Sequence, residues 1–280
     1  MKKANDIVVA RVGRQEEGLT LLDIVSRTLK LSRKKAKLVI DERRVFVNRK
    51  RTWMARHRLS PGDTVEIVSP PRKQSTSAPR ILYEDHQYLV VNKPSGMLSN
   101  GKNSVENAVR SRPGFENTMA VHRLDRETTG CLLMARSSKA FEKAVSLFKN
   151  HAVKKMYHAV VDGRVHQPEK TIREEIDGHT AVTGVKVLDS TKSASHLLAR
   201  LTTGRTHQIR KHLALMRHPV IGDTRYSRRK QTDDRVLQAP RQMLHASKIE
   251  FVHPFTNKRV RVEAPLPKDF KACLRSFGLK

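Results

Sequence analysis

Aromatic residues make up only 5% of this chain, cysteine occurs twice, and acidic residues are half as common as basic ones. Each scarcity excludes something. Cys131 and Cys273 lie far apart in sequence. They form neither a disulfide framework nor a zinc knuckle, and they suit a reducing cytosol. No apolar run approaches the roughly 18 residues of a membrane span. The opening MKKANDIVVARVGRQEEG has too short an apolar run before Arg11 for a signal peptide. A soluble, cytoplasmic protein without membrane attachment is expected. No glycine-rich loop ends in GK[ST], no HExxH occurs, and no GxSxG elbow is present, so nucleotide, zinc-hydrolase and serine-hydrolase readings lack support. Among the 13 histidines, His207 and His212 are five residues apart. That spacing places them on different helix faces, and no metal site is expected.

What the chain has in abundance is positive charge. Its 280 residues carry 56 Lys+Arg against 27 Asp+Glu, a formal net charge of +29. Such an excess costs folding energy by self-repulsion and is expected where the partner is a polyanion. It is not confined to a tail: residues 1–70 hold 17 basic and 8 acidic side chains, and 71–280 hold 39 and 19. Nucleic acid is the leading partner and an anionic membrane the second. An apolar content of 38% supports a real core.

The clearest boundary is SPPRKQSTSAP, Ser69 to Pro79, whose adjacent prolines continue neither a helix nor a central strand. It divides the chain into a module over 1–69, a linker over 70–80 and a body over 81–280. In the module, Leu21, Leu22, Val25 and Leu29 fall at helical spacing. Ser32 is placed to cap a second helix, with Ala36, Val39 and Ile40 inward and Arg33, Lys34 and Lys37 outward. VFVNRKR reads as a strand entering a turn at Asn48, and SPGDTVEIV as a turn and closing strand. A basic helix face is by itself more often solvated than bound. The pattern LSRKKAKLVIDERRVFVNRKR…LSPGDTVEIV nevertheless resembles the small RNA-binding domain named after ribosomal protein S-four. Arg49 stands where that family commonly has glycine. The resemblance implies that Arg33, Lys34 and Lys37 contact RNA.

The body alternates strands and helices. QYLVVNKPSGM is a buried strand running into a turn, followed later by a strand beginning at Cys131 and a helix from about Ser138. A further strand starts at Tyr157, and RTHQIRKHLALM has helical spacing at Ile209, Leu213 and Met216. ASKIEFVHP and KRVRVEAP form a late hairpin. The predicted class is α+β, a mixed and largely antiparallel sheet with a small N-terminal α/β module.

Three stretches concentrate the chemistry: HRLDRETTG, KKMYHAVVDG and TTGRTHQIRKHLA. Taken singly, Asp125 is more often a structural ion-pair member, Tyr157 a core residue with a wet hydroxyl, and Arg210 a surface charge. The combination resembles the RluA-type pseudouridine synthases over nearly all of 81–280. LVVNKPSGM is similar to that family's early strand and turn, and VHRLDRETTGCLLMAR to its catalytic motif. KKMYHAVVDG, TGRTHQIRKHLALMRHPVIGDTRY and LHASKIEFVHPFTNKRVRVEAPLPKDF follow in the family's order. Thr129 replaces the usual serine, and Met216-Arg217 stand where a small turn residue is common.

The resemblance implies the pseudouridine synthase fold and an isomerase that detaches uracil from ribose, turns it and rejoins it through carbon. Nothing is oxidised or lost, so no cofactor is expected. It makes Asp125 the catalytic carboxylate, as nucleophile or as the base that starts an elimination, with Arg210 as its ion-pair partner. Tyr157 stacks on the uracil, and its hydroxyl helps move the proton from carbon. Arg123 fills the gap left by the flipped nucleotide, and Arg205 and His207 contact RNA. Ribosomal RNA of the large subunit is the favoured substrate, with transfer RNA as runner-up and a non-catalytic assembly factor as the rival class. A monomer is expected.

Overall fold

The computed structural model describes residues 7–68, 79–227 and 233–280. The expected linker falls almost wholly on 69–78, outside the described residues. Two compact units result, one within Met1–Gln74 and Ile221–Pro240, the other within Ser75–Val220 and Arg241–Lys280.

The first unit opens with β1 (Ile7–Arg11), α1 (Leu21–Thr28), α2 (Arg33–Asp41), β2 (Val45–Val47), β3 (Lys50–Arg51) and β4 (Thr64–Val68). Its antiparallel sheet runs β1-β4-β2-β3. Thr20 and Asp23 form a reciprocal capping box that starts α1, and the Ser32 hydroxyl accepts from the Lys35 N–H to start α2. Leu21, Ile24 and Val25 of α1 meet Ala36 and Ile40 of α2 in one apolar cluster over the sheet. Arg33, Lys34 and Lys37 stay exposed on the far side of α2. Arg33 pairs with Asp23, and Lys37 lies 2.7 Å from Asp41.

The β2–β3 hairpin turns through Asn48 and Arg49, with φ of 50° and 67°. Two left-handed residues are what a two-residue hairpin of matching twist requires. Arg49 carries a Cβ there, at a cost of about 1–2 kcal/mol. Its guanidinium is held by Glu66 at 3.0 Å and by Asp234, which offsets that strain and explains how glycine is dispensed with. No motif signalled that 221–240 groups with this unit.

The second unit contains β5 (Arg80–Glu84), β6 (Tyr88–Lys93), α3 (Val105–Arg110), β7 (Met119–Ala120), β8 (Thr129–Ala135), α4 (Ser138–Lys149) and β9 (Lys154–Asp162). It continues with β10 (Glu169–Arg173), β11 (Val182–Ser190), β12 (Ala194–Leu201) and α5 (Gln208–Leu215). After α6 (Asp234–Leu237), which belongs to the first unit, come β13 (Leu244–Val252), β14 (Arg259–Glu263) and α7 (Lys268–Ser276). A ten-stranded sheet runs β10-β11-β12-β9-β13-β8-β6-β5, with β14 on β13 and β7 on β8. The fold is thus α+β with a mixed, largely antiparallel sheet, since β8 and β13 form the parallel contact and the other named strands pair antiparallel.

β8 is buried along its whole length, as its unbroken apolar run demands. Leu132 and Leu133 are fully sequestered, each contributing about 2 kcal/mol. β9 begins at Lys154, three residues before the expected start. Two lysines hid the extension: Lys154 is exposed beside Glu250 at 3.6 Å, whereas Lys155 turns inward. At the end of α5, Arg217 takes φ 64° and the His218 N–H reaches the Leu213 carbonyl at 2.9 Å. This is a Schellman closure made without glycine. No helix among the described residues is long and apolar enough to cross a membrane.

Buried imidazoles give the second unit a distinctive response to acid. His158 Nδ1 lies 2.8 Å from His196 Nε2, and His196 Nδ1 lies 2.6 Å from the Lys280 carbonyl. The carbonyl can only accept, so His196 donates from Nδ1 and accepts from His158 through Nε2, both rings being neutral. His245 sits between the Thr129 hydroxyl at 2.8 Å and the Ala264 carbonyl at 3.2 Å. Burial pushes the pKa of His158 and of His245 down to about 4. Because the folded values lie below the ordinary 6.5, the unfolded chain binds more protons between them. Stability is full above pH 6.5 and falls as pH drops toward 4. Urea melts followed by circular dichroism at pH 7 and 5 should differ by about 2 kcal/mol for each such histidine. Equal midpoints at the two pH values would contradict neutral buried rings.

Candidate active site

Asp125 stands in the turn between β7 and β8, and backbone bonds fix that turn at each step. Leu124 is held through both its N–H, donated to the Ser99 hydroxyl at 2.8 Å, and its carbonyl, which accepts from that hydroxyl at 3.2 Å. The Asp125 carbonyl accepts from the Thr128 N–H at 3.0 Å. Beneath the turn Lys93 is completely buried, and its ammonium donates to the carbonyls of Pro94, Arg126 and Thr128 at 2.8–2.9 Å. Burial and the nearby Arg241 push its pKa down to about 7, yet three carbonyl acceptors match the three protons of the charged form. A lysine ending an apolar strand was the available sign of this role.

The Asp125 carboxylate meets α5. Arg210 Nη1 donates to its Oδ2 at 2.9 Å, and His207 Nε2 lies 3.7 Å from its Oδ1. Arg210 is buried on α5, three residues before buried Leu213 and so on the same side of the helix. His207 occupies the capping position with φ 56°, a left-handed turn that brings its ring round to the carboxylate. His212 points elsewhere, toward the Glu174 carbonyl at 3.2 Å.

Two glutamines complete the framework. Gln208 accepts from the Thr203 hydroxyl at 2.8 Å and the Arg205 N–H at 2.9 Å, and donates to the Val182 carbonyl and Thr183 hydroxyl, both at 2.9 Å. All four of its hydrogen-bonding positions are used, two on the 203–207 loop and two on β11, so that it ties the loop to the sheet. Gln242 donates to the Thr128 hydroxyl at 2.7 Å and reaches Asp125 Oδ2 at 3.5 Å. Neither glutamine carries a chemical signature in sequence, because each acts through partners that only folding supplies.

Tyr157 projects from the middle of β9. Its cross-strand neighbours are Ala199 on β12 and Ala246 on β13, small side chains that leave room around the ring. Burial and the negative charge of Asp125 push the phenol pKa well above its usual 10, so the hydroxyl keeps its proton at neutral pH.

Asp125, Tyr157, Arg210, Arg123, Arg205 and His207 all line one cavity of about 490 Å³. That volume suits a single base with part of its sugar. Arg123 and Arg205 are exposed at this cavity, whereas Arg210 is 7% exposed within it. Arg33, Lys34 and Lys37 belong to the other unit. Among the described residues no three His, Cys, Asp or Glu side chains gather to hold a metal ion.

Residues 87–215 match the family model described as RNA pseudouridylate synthase. The chain is 31% identical to ribosomal large subunit pseudouridine synthase D of Zymomonas mobilis, over 74% of this chain and 75% of that protein. It is 32% identical to ribosomal large subunit pseudouridine synthase C of Vibrio cholerae, over 84% and 85%. Human RNA pseudouridylate synthase domain containing 4 superposes with a TM-score of 0.62 over 71% of this chain and 93% of that one, at 23% identity, and shares the fold. The chain therefore belongs to the RluA-type RNA pseudouridine synthases, isomerases that rearrange uridine within RNA.

Proposed function

We propose that this synthase modifies large-subunit ribosomal RNA, with Asp125 opening the reaction at the ribose. The observation that carries the assignment of the site is the Asp125–Arg210 pair at 2.9 Å in one cavity with Tyr157. The Arg210 guanidinium supplies the positive partner for the Asp125 carboxylate through a charge-assisted hydrogen bond. Tyr157 stacks on the extruded uracil, and its protonated hydroxyl favours donation of a hydrogen bond over action as a free base. Arg123 enters the gap in the RNA stack, while Arg205 and His207 contact the flanking backbone. Flipping costs a few kcal/mol, so a loop or bulge uridine is the cheaper target.

The choice of ribosomal RNA rests on the names of the Zymomonas and Vibrio relatives and on a net charge of +29. The N-terminal unit, on this reading, is an S-four-like docking module whose α2 face meets RNA phosphates. Arg33→Ala combined with Lys34→Ala should weaken RNA binding about tenfold at moderate salt and reduce the salt slope by roughly two contacts. Filter binding across a salt series measures this, and unaltered affinity would return the α2 face to a solvated surface. The substrate itself is tested by mapping pseudouridine through carbodiimide-induced reverse-transcriptase stops. A deletion strain complemented with wild type or with Asp125→Asn is compared. A stop in large-subunit rRNA restored only by wild type is expected, and a restored stop confined to transfer RNA would redirect the assignment.

A further inference from the structure

Lys155 is the cation in the cavity that the reading above leaves without a task. It lies two residues before Tyr157 on β9, so strand alternation turns both side chains to the same face. It lines the same cavity and is 8% exposed. Among the described residues no carboxylate or carbonyl pairs with its ammonium. Its Nζ sits 5.5 Å from the centre of the Phe148 ring and 3.9 Å from the point where a Cβ on Gly204 would stand. The absence of a side chain on Gly204 leaves that approach open. Phe148 is stacked in turn on His122, with centroids 4.9 Å apart. His122 stays neutral, its Nε2 accepting from the Leu133 N–H at 3.0 Å, so it adds no second positive charge beside the ammonium. Burial depresses the Lys155 pKa.

A desolvated cation held only by an aromatic face is costly unless something negative arrives. Asp125 is already engaged by Arg210. Two anions accompany a flipped uridine: the phosphates on either side, and the base itself once detached. Phosphates are strongly hydrated, and exposed Arg123 and Arg205 stand ready for them at the cavity. The buried position beside Tyr157 faces the base.

We propose that Lys155 is a catalytic residue whose ammonium contacts a carbonyl oxygen of the target uracil and neutralises the charge the base carries while detached. This rests on the assignment of the cavity under Proposed function. When the N1–C1′ bond breaks, its electron pair leaves with the base and spreads over N1, O2, O4 and C5. The C5–C1′ bond then forms from a pair at C5, the proton on C5 departs and N1 gains one. Lys155 keeps its proton throughout, and its contribution is electrostatic.

The test uses the full chain in excess over a transcript bearing the mapped uridine, with Lys155→Met, Lys155→Gln and Lys155→Arg. Lys155→Met should slow the single-turnover rate 10²–10³-fold, with RNA affinity within about threefold and thermal melting unchanged. A transcript carrying 5-fluorouridine supplies a base that bears negative charge more readily. The Met penalty on cleavage of its glycosidic bond should shrink at least tenfold. If Met lowers the melting temperature, the Gln and Arg variants share the packing change and differ in charge, and Arg should react at least tenfold faster than Gln. A wild-type rate for Met, weaker binding with an unchanged saturated rate, an undiminished penalty on 5-fluorouridine, or equal Gln and Arg rates would each overturn the inference. Asp125→Asn runs alongside. Activity in that variant would remove the underlying site assignment, whereas a silent Asp125→Asn with fully active Lys155→Met removes only the role of Lys155.

Discussion

Asp125→Asn should reduce isomerisation by on the order of 10⁴-fold or more, while RNA affinity stays within severalfold of wild type. Asparagine has the shape of aspartate and keeps an oxygen to accept from Arg210, so the turn pinned by Lys93 and Ser99 is retained. What disappears is the charge and the nucleophilic or basic oxygen. Arg210, 7% exposed, then faces a neutral partner, and removal of a buried counter-ion costs stability. The melting temperature should fall modestly, and Asp125→Ala, which leaves no acceptor, should lower it further. The rate is read from release of tritium from C5 of labelled uridine under single-turnover conditions. Filter binding and melting run in parallel separate a chemical loss from an unfolded protein. A variant that retained a tenth of wild-type activity would exclude Asp125 from the bond-breaking step.

Gly130→Ala should destabilise the protein by about 4 kcal/mol or more, among the largest effects of any single substitution. Gly130 has φ +112°, a conformation that side chains rarely adopt, and a Cβ there would stand 2.1 Å from the Ala246 carbonyl oxygen. Neither atom has somewhere to go. Ala246 is paired to Gly130 in the parallel β8–β13 contact and to Tyr157 on β9. Displacing it therefore disturbs the strand beside the cavity as well as the core. Gly96 is the control: its φ is +87°, but nothing lies within 4 Å of its added Cβ. Gly96→Ala should cost only the backbone strain, about 1–2 kcal/mol. Urea denaturation of both variants gives the comparison, and equal losses would mean that strain alone accounts for Gly130.

These two residues illustrate how differently parts of the site are written into the chain. Asp125 is conspicuous in HRLDRETTG because a carboxylate between arginines at the edge of an apolar run needs a reason. Gly130 in the same stretch looks like one more small residue. Its necessity arises from Ala246, 116 positions later, which no local pattern connects to it. Gln208 and Gln242 are silent for the same reason: a neutral amide acquires meaning from the donors and acceptors that surround it. Lys155 was visible as half of a lysine pair, and only its inward direction on β9 separates it from exposed Lys154.

Arg49 and Arg217 show the converse. Both hold left-handed positions where glycine is usual, so a rule based on residue type underestimates these turns. Arg49 succeeds because Glu66 and Asp234 bind its side chain, the second supplied by a segment about 185 positions away.

By itself the sequence determined the secondary-structure periods, the α+β class, the polyanionic partner and the family motifs. Those properties are local or additive, set by burial alternation, capping chemistry and summed charge. Only the tertiary structure decided that Arg210 meets Asp125, that Lys93 underpins its turn, that residues 221–240 group with the N-terminal unit, and that Lys155 turns into the cavity with no carboxylate partner among the described residues. Each of those depends on distances between groups far apart in the chain, and such distances are set by packing, which optimises the whole core at once.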